Sequence, residues 1–271
     1  HNMTSFDSDG WTMGASSNAA NLINLDDTKH AAFAWNAGTT AATPSTAGSI
    51  NPTDEWVNTT AGFSMIRFTS PDNSSAQTAG HSLGAVPELI ISKNLENTYG
   101  WEVYHKDLTA GKSLNLDTNG TESAGRWGSM TSTTFGTVSG YTHYSTHKYI
   151  NYLWKSIPGY SRIGVYTGNN AASGPFIYTG FKPRWVLIKN RLDSGPEAWV
   201  MLDAAADSAN PINLELDPST NGAEGNTDLV DFYTNGFKIR NAGKRVNDNN
   251  GADYMIYAAF AEGHTKGSLA N

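Results

Sequence analysis

The chain is 271 residues long, with a formal net charge of −7, 38% hydrophobic and 16% charged residues. Its 8 Trp, 12 Tyr and 10 Phe exclude a disordered chain, and no Lys/Arg-rich run offers the footprint of a nucleic-acid or anionic-membrane binder. The absence of Cys excludes disulfides, thiol chemistry and Cys-ligated metals, and no apolar stretch nears the roughly 20 residues of a membrane-spanning helix, so no membrane insertion is expected.

With 27 Gly and 10 Pro, the composition favours many short strands and turns. Position 1 is His, which predicts a processed or partial start, and no signal-peptide pattern opens the chain. Residues 6–13, FDSDGWTM, predict a hairpin, because Gly10 supplies the positive φ of a tight turn. Residues 30–35 read as a further strand, which makes 1–38 the closing third of a β module. Residues 39–61 are expected to be a linker, rich in Thr, Ala, Gly, Ser and Pro as far as Pro52. Residues 89–91 and 186–188 are short unbroken apolar runs after Pro87 and Pro183, predicting strands buried on both faces. Residues 101–103 and 199–201 alternate as half-buried strands do, with Glu102 expected on the solvent side. Residues 204–210 predict one or two helical turns ending before Pro211, and Asn235 with Gly236 a second hairpin.

An internal repeat organises these elements. GFSMIRFT at 62–69 matches YSRIGVYT at 160–167, and GHSLGAVPELIISKN at 80–94 matches FIYTGFKPRWVLIKN at 176–190. Within these blocks Pro87 falls on Pro183, and Lys93 and Asn94 on Lys189 and Asn190. Further on, Trp101 falls on Trp199, and 114–117 on 214–217. A closing strand recurs at 149–154, 254–259 and 30–35, with Tyr152 aligned on Tyr257. The hairpin of residues 6–13 recurs at 232–239 and, shortened, at 135–141. The expected architecture is all-β: tandem antiparallel β-sandwich or jelly-roll-like modules from an internal duplication. Its parts are a partial module at 1–38, the linker 39–61, and full modules at 62–159 and 160–271.

The patterns GFSxxxFT, GHSLGxxPxLIIxKN, WxVYH, YTGN, GFKPxWVLIKN, NGFKI and YxxYAAFAEG lie here at 62–69, 80–94, 101–105, 166–169, 180–190, 235–239 and 254–263. Together they resemble a repeat domain of uncharacterised function found in virion and tail-fibre-like proteins of bacteriophages, mostly marine. The resemblance spans most of 6–38 and 62–263 and departs at 141–148, where the hairpin is shorter. It implies a structural or adhesive virion component, such as a tail fibre, appendage or capsid-surface protein, at the virion surface or otherwise extracellular. The expected partners are other copies of the chain and other virion proteins, with cell-surface glycan as a further candidate that rests on the aromatic loops below. The family carries no catalytic motif to transfer. A secreted carbohydrate-binding adhesin or filament subunit of a bacterium is the alternative, and a glycan-degrading enzyme a third.

No G-x-S-x-G elbow, Walker loop or Rossmann loop is present, so no catalytic residue and no cofactor are expected. Glu88, Glu102, Glu197 and Glu262 are the carboxylates a glycosidase could use, but nothing pairs two of them at the required spacing of about 5–10 Å. His143 and His147 have a zinc-like spacing, yet lie in Tyr-rich β-like sequence and read as a polar loop, so no metal is expected. Residues 246–253, with 24–27 as counterpart, are oxygen-rich like a calcium loop but lack its terminal Glu, and read as a turn. Sugar recognition asks for aromatic faces beside amides and carboxylates. Tyr99, Trp101, Trp127, Tyr141 and Tyr144 sit near glycines in expected loops and are the candidate ligand-binding residues, the alternative being that their rings cap the core.

Overall fold

The structure, a computed structural model, describes residues 3–7, 10–14, 30–38, 41–73, 76–192, 198–207, 209–220, 222–249 and 255–262. The chain divides into two compact units, 1–35 and 36–271. The first holds a hairpin of β1 (Met3–Phe6) and β2 (Trp11–Met13), with Phe6 opposite Trp11. Asp7 closes its turn: the amide donates to the Gly10 carbonyl (2.9 Å) and the carboxylate accepts the Thr12 hydroxyl (2.7 Å). Residues 30–38, expected to include a strand, form none. Ala-rich sequence has low strand propensity, and no ladder takes this segment up among the described residues.

The second unit is almost wholly antiparallel strand. Its first half contains β3 (Asp54–Asn58), β4 (Phe63–Thr69), β5 (Ala76–Gly80), β6 (Leu89–Asn94), β7 (Trp101–His105), β8 (Leu114–Asn115), β9 (Trp127–Met130), β10 (Thr134–Val138) and β11 (Lys148–Trp154). These form a sheet β3-β4-β11-β6-β7-β8 and a smaller sheet β5-β10-β9. Ile66, Phe68, Ile90 and Leu153 of the larger pack against Ala79 and Phe135 of the smaller, making a sandwich core. The second half contains β12 (Ser161–Tyr166), β13 (Phe176–Tyr178), β14 (Trp185–Asn190), β15 (Val200–Asp203), β16 (Ile212–Leu216), β17 (Gly225–Tyr233), β18 (Gly236–Ile239), α1 (Lys244–Asn247) and β19 (Met255–Phe260). They form one sheet, β12-β19-β14-β15-β16-β17-β18-β13, which nearly closes like a barrel around Ile188, Val200, Val230 and Phe237. The chain is thus all-β and sandwich-like, as its sequence predicts.

The two halves share a strand order. β4-β11-β6-β7-β8 corresponds to β12-β19-β14-β15-β16, and β5-β10-β9 to β13-β18-β17; the β16–β17 pairing joins the second set into one sheet. Register fixes the correspondence residue by residue. Trp101 pairs with Lys93, and Trp199 stands just before Val200, the partner of Ile188, so the two Trp hold one position. Tyr152 and Tyr257 do not. Tyr149 faces Asn94 while Met255 faces Asn190, so the counterpart of Tyr257 is Asn151. A slip of one residue changes the face: Tyr152 stacks with Phe63 and Trp154 (6.5 and 6.2 Å), whereas Tyr257 lies in the second core. The hairpin expected at 135–141 is instead β9–β10, with Phe135 in its second strand. The segment 39–61, expected as a linker, supplies β3 and the buried Ile50. Residues 204–206 form a turn without helix, and the helical turn falls at α1.

The halves pack back to back. β14 is buried along its whole length, as its apolar run predicts, and so is β19. Trp154 meets Phe260 edge-on at 6.5 Å, and Phe260 packs on Trp185 at 5.7 Å. Polar groups in the seam are paired: His105 Nε2 donates to the Tyr257 carbonyl (3.2 Å), the Trp199 indole to that of Asn115 (2.8 Å) and the Lys189 ammonium to that of Asn119 (3.1 Å). Arg191 and Glu122 form a half-buried ion pair at 2.9 Å.

His81 and His105 are both buried, and burial pushes each imidazole down from 6.5 to about 4. The unfolded chain then binds more protons than the folded one between these values. The stability that the neutral rings confer is full above pH 6.5 and is lost as pH falls toward 4. We expect the urea midpoint to drop across this window, by roughly 3 kcal/mol of stability for His81 alone. Because carboxylates also titrate near its lower end, a His81→Gln variant isolates the imidazole part: its pH slope should be shallower than that of the parent.

Candidate functional site

Two loops at one end of the first half carry most of the candidate residues: 95–100, after β6, and 139–147, between β10 and β11. Asn94 ties them together. Its Oδ1 accepts the amides of Glu96 (2.8 Å) and Asn97 (3.0 Å), which shapes the first loop. Its Nδ2 reaches His147 Nδ1 (2.9 Å) and the Tyr149 hydroxyl (3.0 Å) of the second, and that hydroxyl donates to the Tyr141 carbonyl (3.3 Å). Asn97 also bonds His147 (3.2 Å), whose ring packs on Tyr144 at 4.8 Å. Burial pushes the Tyr149 phenol up to about 12, so it stays a neutral donor at any physiological pH. Thr146, in the second loop, has φ +66°, a conformation that a β-branched residue adopts only when its surroundings impose it; its amide is held by the Ser70 carbonyl (2.9 Å).

Tyr99, Tyr141 and Tyr144 are 44%, 44% and 38% exposed. Trp101 is half-buried, with Lys93 5.6 Å from its ring, and the Lys93 ammonium also donates to the Tyr99 carbonyl. Arg126 lies 4.7 Å over the Tyr141 ring. Trp127 does not belong to this surface: it is buried in the sandwich core beside Phe135 and Tyr104, and its indole donates to Ser113 Oγ (3.2 Å). Four of the five candidates therefore sit on or beside neighbouring loops with a lysine, an arginine and carboxamides between them. Such a surface can stack on sugar rings and hydrogen-bond their hydroxyls or acidic groups.

The other polar motifs have internal partners. Glu102, expected on a solvent face, is buried and engaged by Arg126, Ser113 (2.7 Å) and Asn115 (3.1 Å). Glu88 accepts Ser156 Oγ (2.7 Å), Glu262 pairs with Arg184 (2.9 Å), and Glu197 lies outside the described residues. His143 is buried on Thr137 Oγ1 (2.9 Å), apart from the partners of His147, and among the described residues no three metal-ligating side chains gather. In the oxygen-rich segment, Asn247 is fully buried: its Nδ2 donates to the carbonyls of Ala171 (2.7 Å) and Asn241 (2.8 Å), and its Oδ1 accepts the Asn169 amide (2.7 Å). Gly168 of the YTGN motif is needed because a Cβ there would stand 2.3 Å from the Asn247 backbone. Residues 250–253, 254, 263 and 24–27 lie outside the described residues. Sequence reasoning passed over Asn94 and Asn190 as organisers. The signal was the recurring Lys-Asn pair, since Asn190 likewise shapes its own turn (Leu192 amide, 3.2 Å) and holds Asp248 (2.9 Å).

Fold and site together define an all-β protein of stacked antiparallel sheets with an aromatic, carboxamide-braced loop surface at one end. A domain of unknown function, DUF7483, matches residues 1–264, and the chain belongs to that family. No curated protein and no solved structure matches it.

Replacing Asn94 by Ala strands several loop groups at once. We expect Asn94→Ala to destabilise the chain by about 1–3 kcal/mol and to broaden the amide resonances of residues 139–147, read by denaturation and NMR. Unchanged loop resonances would show that the loops hold their shape without it.

Proposed function

We propose that the chain is a non-catalytic structural and adhesive component of a bacteriophage virion, displayed at the virion surface, and that its loops 95–100 and 139–147 bind host-surface glycan. The observation that carries the glycan reading is the strained, multiply tied 139–147 loop, which leaves Tyr141 and Tyr144 exposed and is bonded through His147 to the loop that carries Tyr99. The virion assignment rests on the motif resemblance. We further infer that the two halves of the second unit descend from one duplicated module, supported by their common strand order and by Trp101 and Trp199 at one position.

Glycan-array screening followed by titration calorimetry tests the site. Tyr141→Ala and Tyr144→Ala should each weaken binding by about 2- to 10-fold, the worth of one aromatic stacking contact, without lowering Tm. Release of reducing sugar from a bound polysaccharide would replace the adhesive reading with an enzymatic one. Assembly is tested separately. The hairpin unit exposes Met3 and Trp11, and a two-stranded hairpin is marginal alone. Deleting residues 1–35 should leave the melting of the second unit unchanged and weaken self-association in sedimentation; an unaltered association state would remove the hairpin from assembly.

A further inference from the structure

We propose that the outer edge of β13 accepts an extended segment of another polypeptide, running parallel to β13 and setting an aliphatic side chain into the core of the second half. This edge is a different surface from the aromatic loops, so either assignment can fail alone.

The first half shows what such an edge takes. The counterpart of β13 is β5, and its outer edge is occupied by Ile50, which forms a parallel bridge with Ala79. The Ile50 amide donates to the Thr78 carbonyl (2.8 Å) and its carbonyl accepts the Gly80 amide (3.0 Å), while its side chain is buried in the sandwich core. Register carries these positions across. Ala79 faces Phe135 as Ile177 faces Phe237, and the His81 amide bonds the Thr133 carbonyl as that of Thr179 bonds the Asn235 carbonyl. Phe176 and Tyr178 therefore stand where Thr78 and Gly80 stand. Alternation within the antiparallel pair turns Ile177 toward β18 and the Phe176 carbonyl and Tyr178 amide outward.

No strand meets that edge among the described residues. Arg162 of β12, at the other end of the sheet, reaches across to lie 5.9 Å over the Tyr178 ring. The edge of β12 is partly covered, since Ile157 bridges Ser161 and Ser156 Oγ accepts the Ile163 amide (3.0 Å), whereas β13 has no such cover among the described residues. Burial records the difference. Phe68, Ala79 and Leu83, which share a core with Ile50, are 1%, 0% and 0% exposed; their counterparts Tyr166, Ile177 and Phe181 are 8%, 6% and 7%. Phe176 and Tyr178, at the edge itself, are 45% and 57% exposed. An uncovered strand edge flanked by apolar side chains is the setting in which peptides add as strands. The occupant's chemistry follows from Ile50 and its approach through Gly48 and Ser49: small uncharged residues leading to one aliphatic residue at the bridge.

Hydrogen exchange on the full chain tests the opening, with slow exchange expected at the Gly80 amide and fast exchange at Tyr178. A synthetic peptide of residues 45–54, added in excess to isotope-labelled full chain, should then slow Tyr178 exchange and shift the amide resonances of β13. The same peptide carrying Ile50→Asp should do neither. Protection of Tyr178 equal to that of Gly80 in the free chain, absence of any response of β13 to the parent peptide, or equal responses to both peptides would overturn the proposal.

Discussion

The outward amides and carbonyls of an edge strand must be paired, covered or left to water, and the plan of this chain follows how each edge is met. In the first half the outer edges of β4 and β5 are both met by the segment that precedes β4. Its Ile50 caps β5 and its β3 extends the large sheet beside β4. The second half has only residues 155–160 as a lead-in, which bridge Ser161 through Ile157 but form no strand. Closure there comes from within: β16 pairs with β17, so the two sheets of a sandwich become one sheet that nearly closes. One extra ladder thus separates an open sandwich from a barrel-like form of the same strand order, with β12 and β13 as its remaining ends.

Because ladders are made by backbone, the interiors of the two halves can differ while the strand order stays the same. Asn151, Ser92 and Glu102 lie side by side across the first sheet, and Tyr257, Ile188 and Val200 hold those places in the second. Glu102 is neutralised by Arg126, but the Asn151 amide is fully buried with neither polar atom bonded. A buried group left unpaired costs about 1–3 kcal/mol. The apolar and aromatic set in the second half avoids that cost.

Strand class was legible wherever side-chain type and ladder agree. The unbroken run 186–188 announced a strand buried on both faces, and Gly10 announced the first hairpin. Register was not legible, because it is set by the partner strand. Tyr152 and Tyr257 each follow another Tyr by three residues, and matching by identity placed on one face two residues that lie on opposite faces. Glu102 was misplaced for a related reason: alternation separates two faces but does not say that both are covered, which happens when sheets stack in series. Trp127 looked like a loop residue beside a glycine. Gly128 is there because it meets Gly136 backbone to backbone, a Cβ at Gly136 standing 2.5 Å from the Gly128 Cα, so the pair marks close strands and puts the neighbouring Trp inside. Of the candidate site, the rings at 99, 101, 141 and 144 were visible as aromatics near glycine. The carboxamide that binds their loops together was visible only as half of a recurring Lys-Asn pair, a pattern that marks a position without saying which groups its side chain would tie.

The connection between the last hairpin strand and the closing strand is where the halves diverge most. In the second half it forms α1 and folds inward, with the buried Asn247 side chain donating to the backbone carbonyls of Ala171 and Asn241. In the first half it is the 139–147 loop, whose carboxamide and histidine ties lie at its flanks and leave its tyrosines outside. The half whose β4 and β5 edges are covered displays aromatic rings, and the half whose described connection folds inward keeps an open edge at β13. The seam between them is packed and its polar groups at His105, Trp199, Lys189 and Arg191 are paired, and the two halves fall in one compact unit. A ligand held at the loops and a strand held at β13 would thus sit at a fixed separation, and a pull on one would pass to the other through packed sheets rather than through a flexible linker.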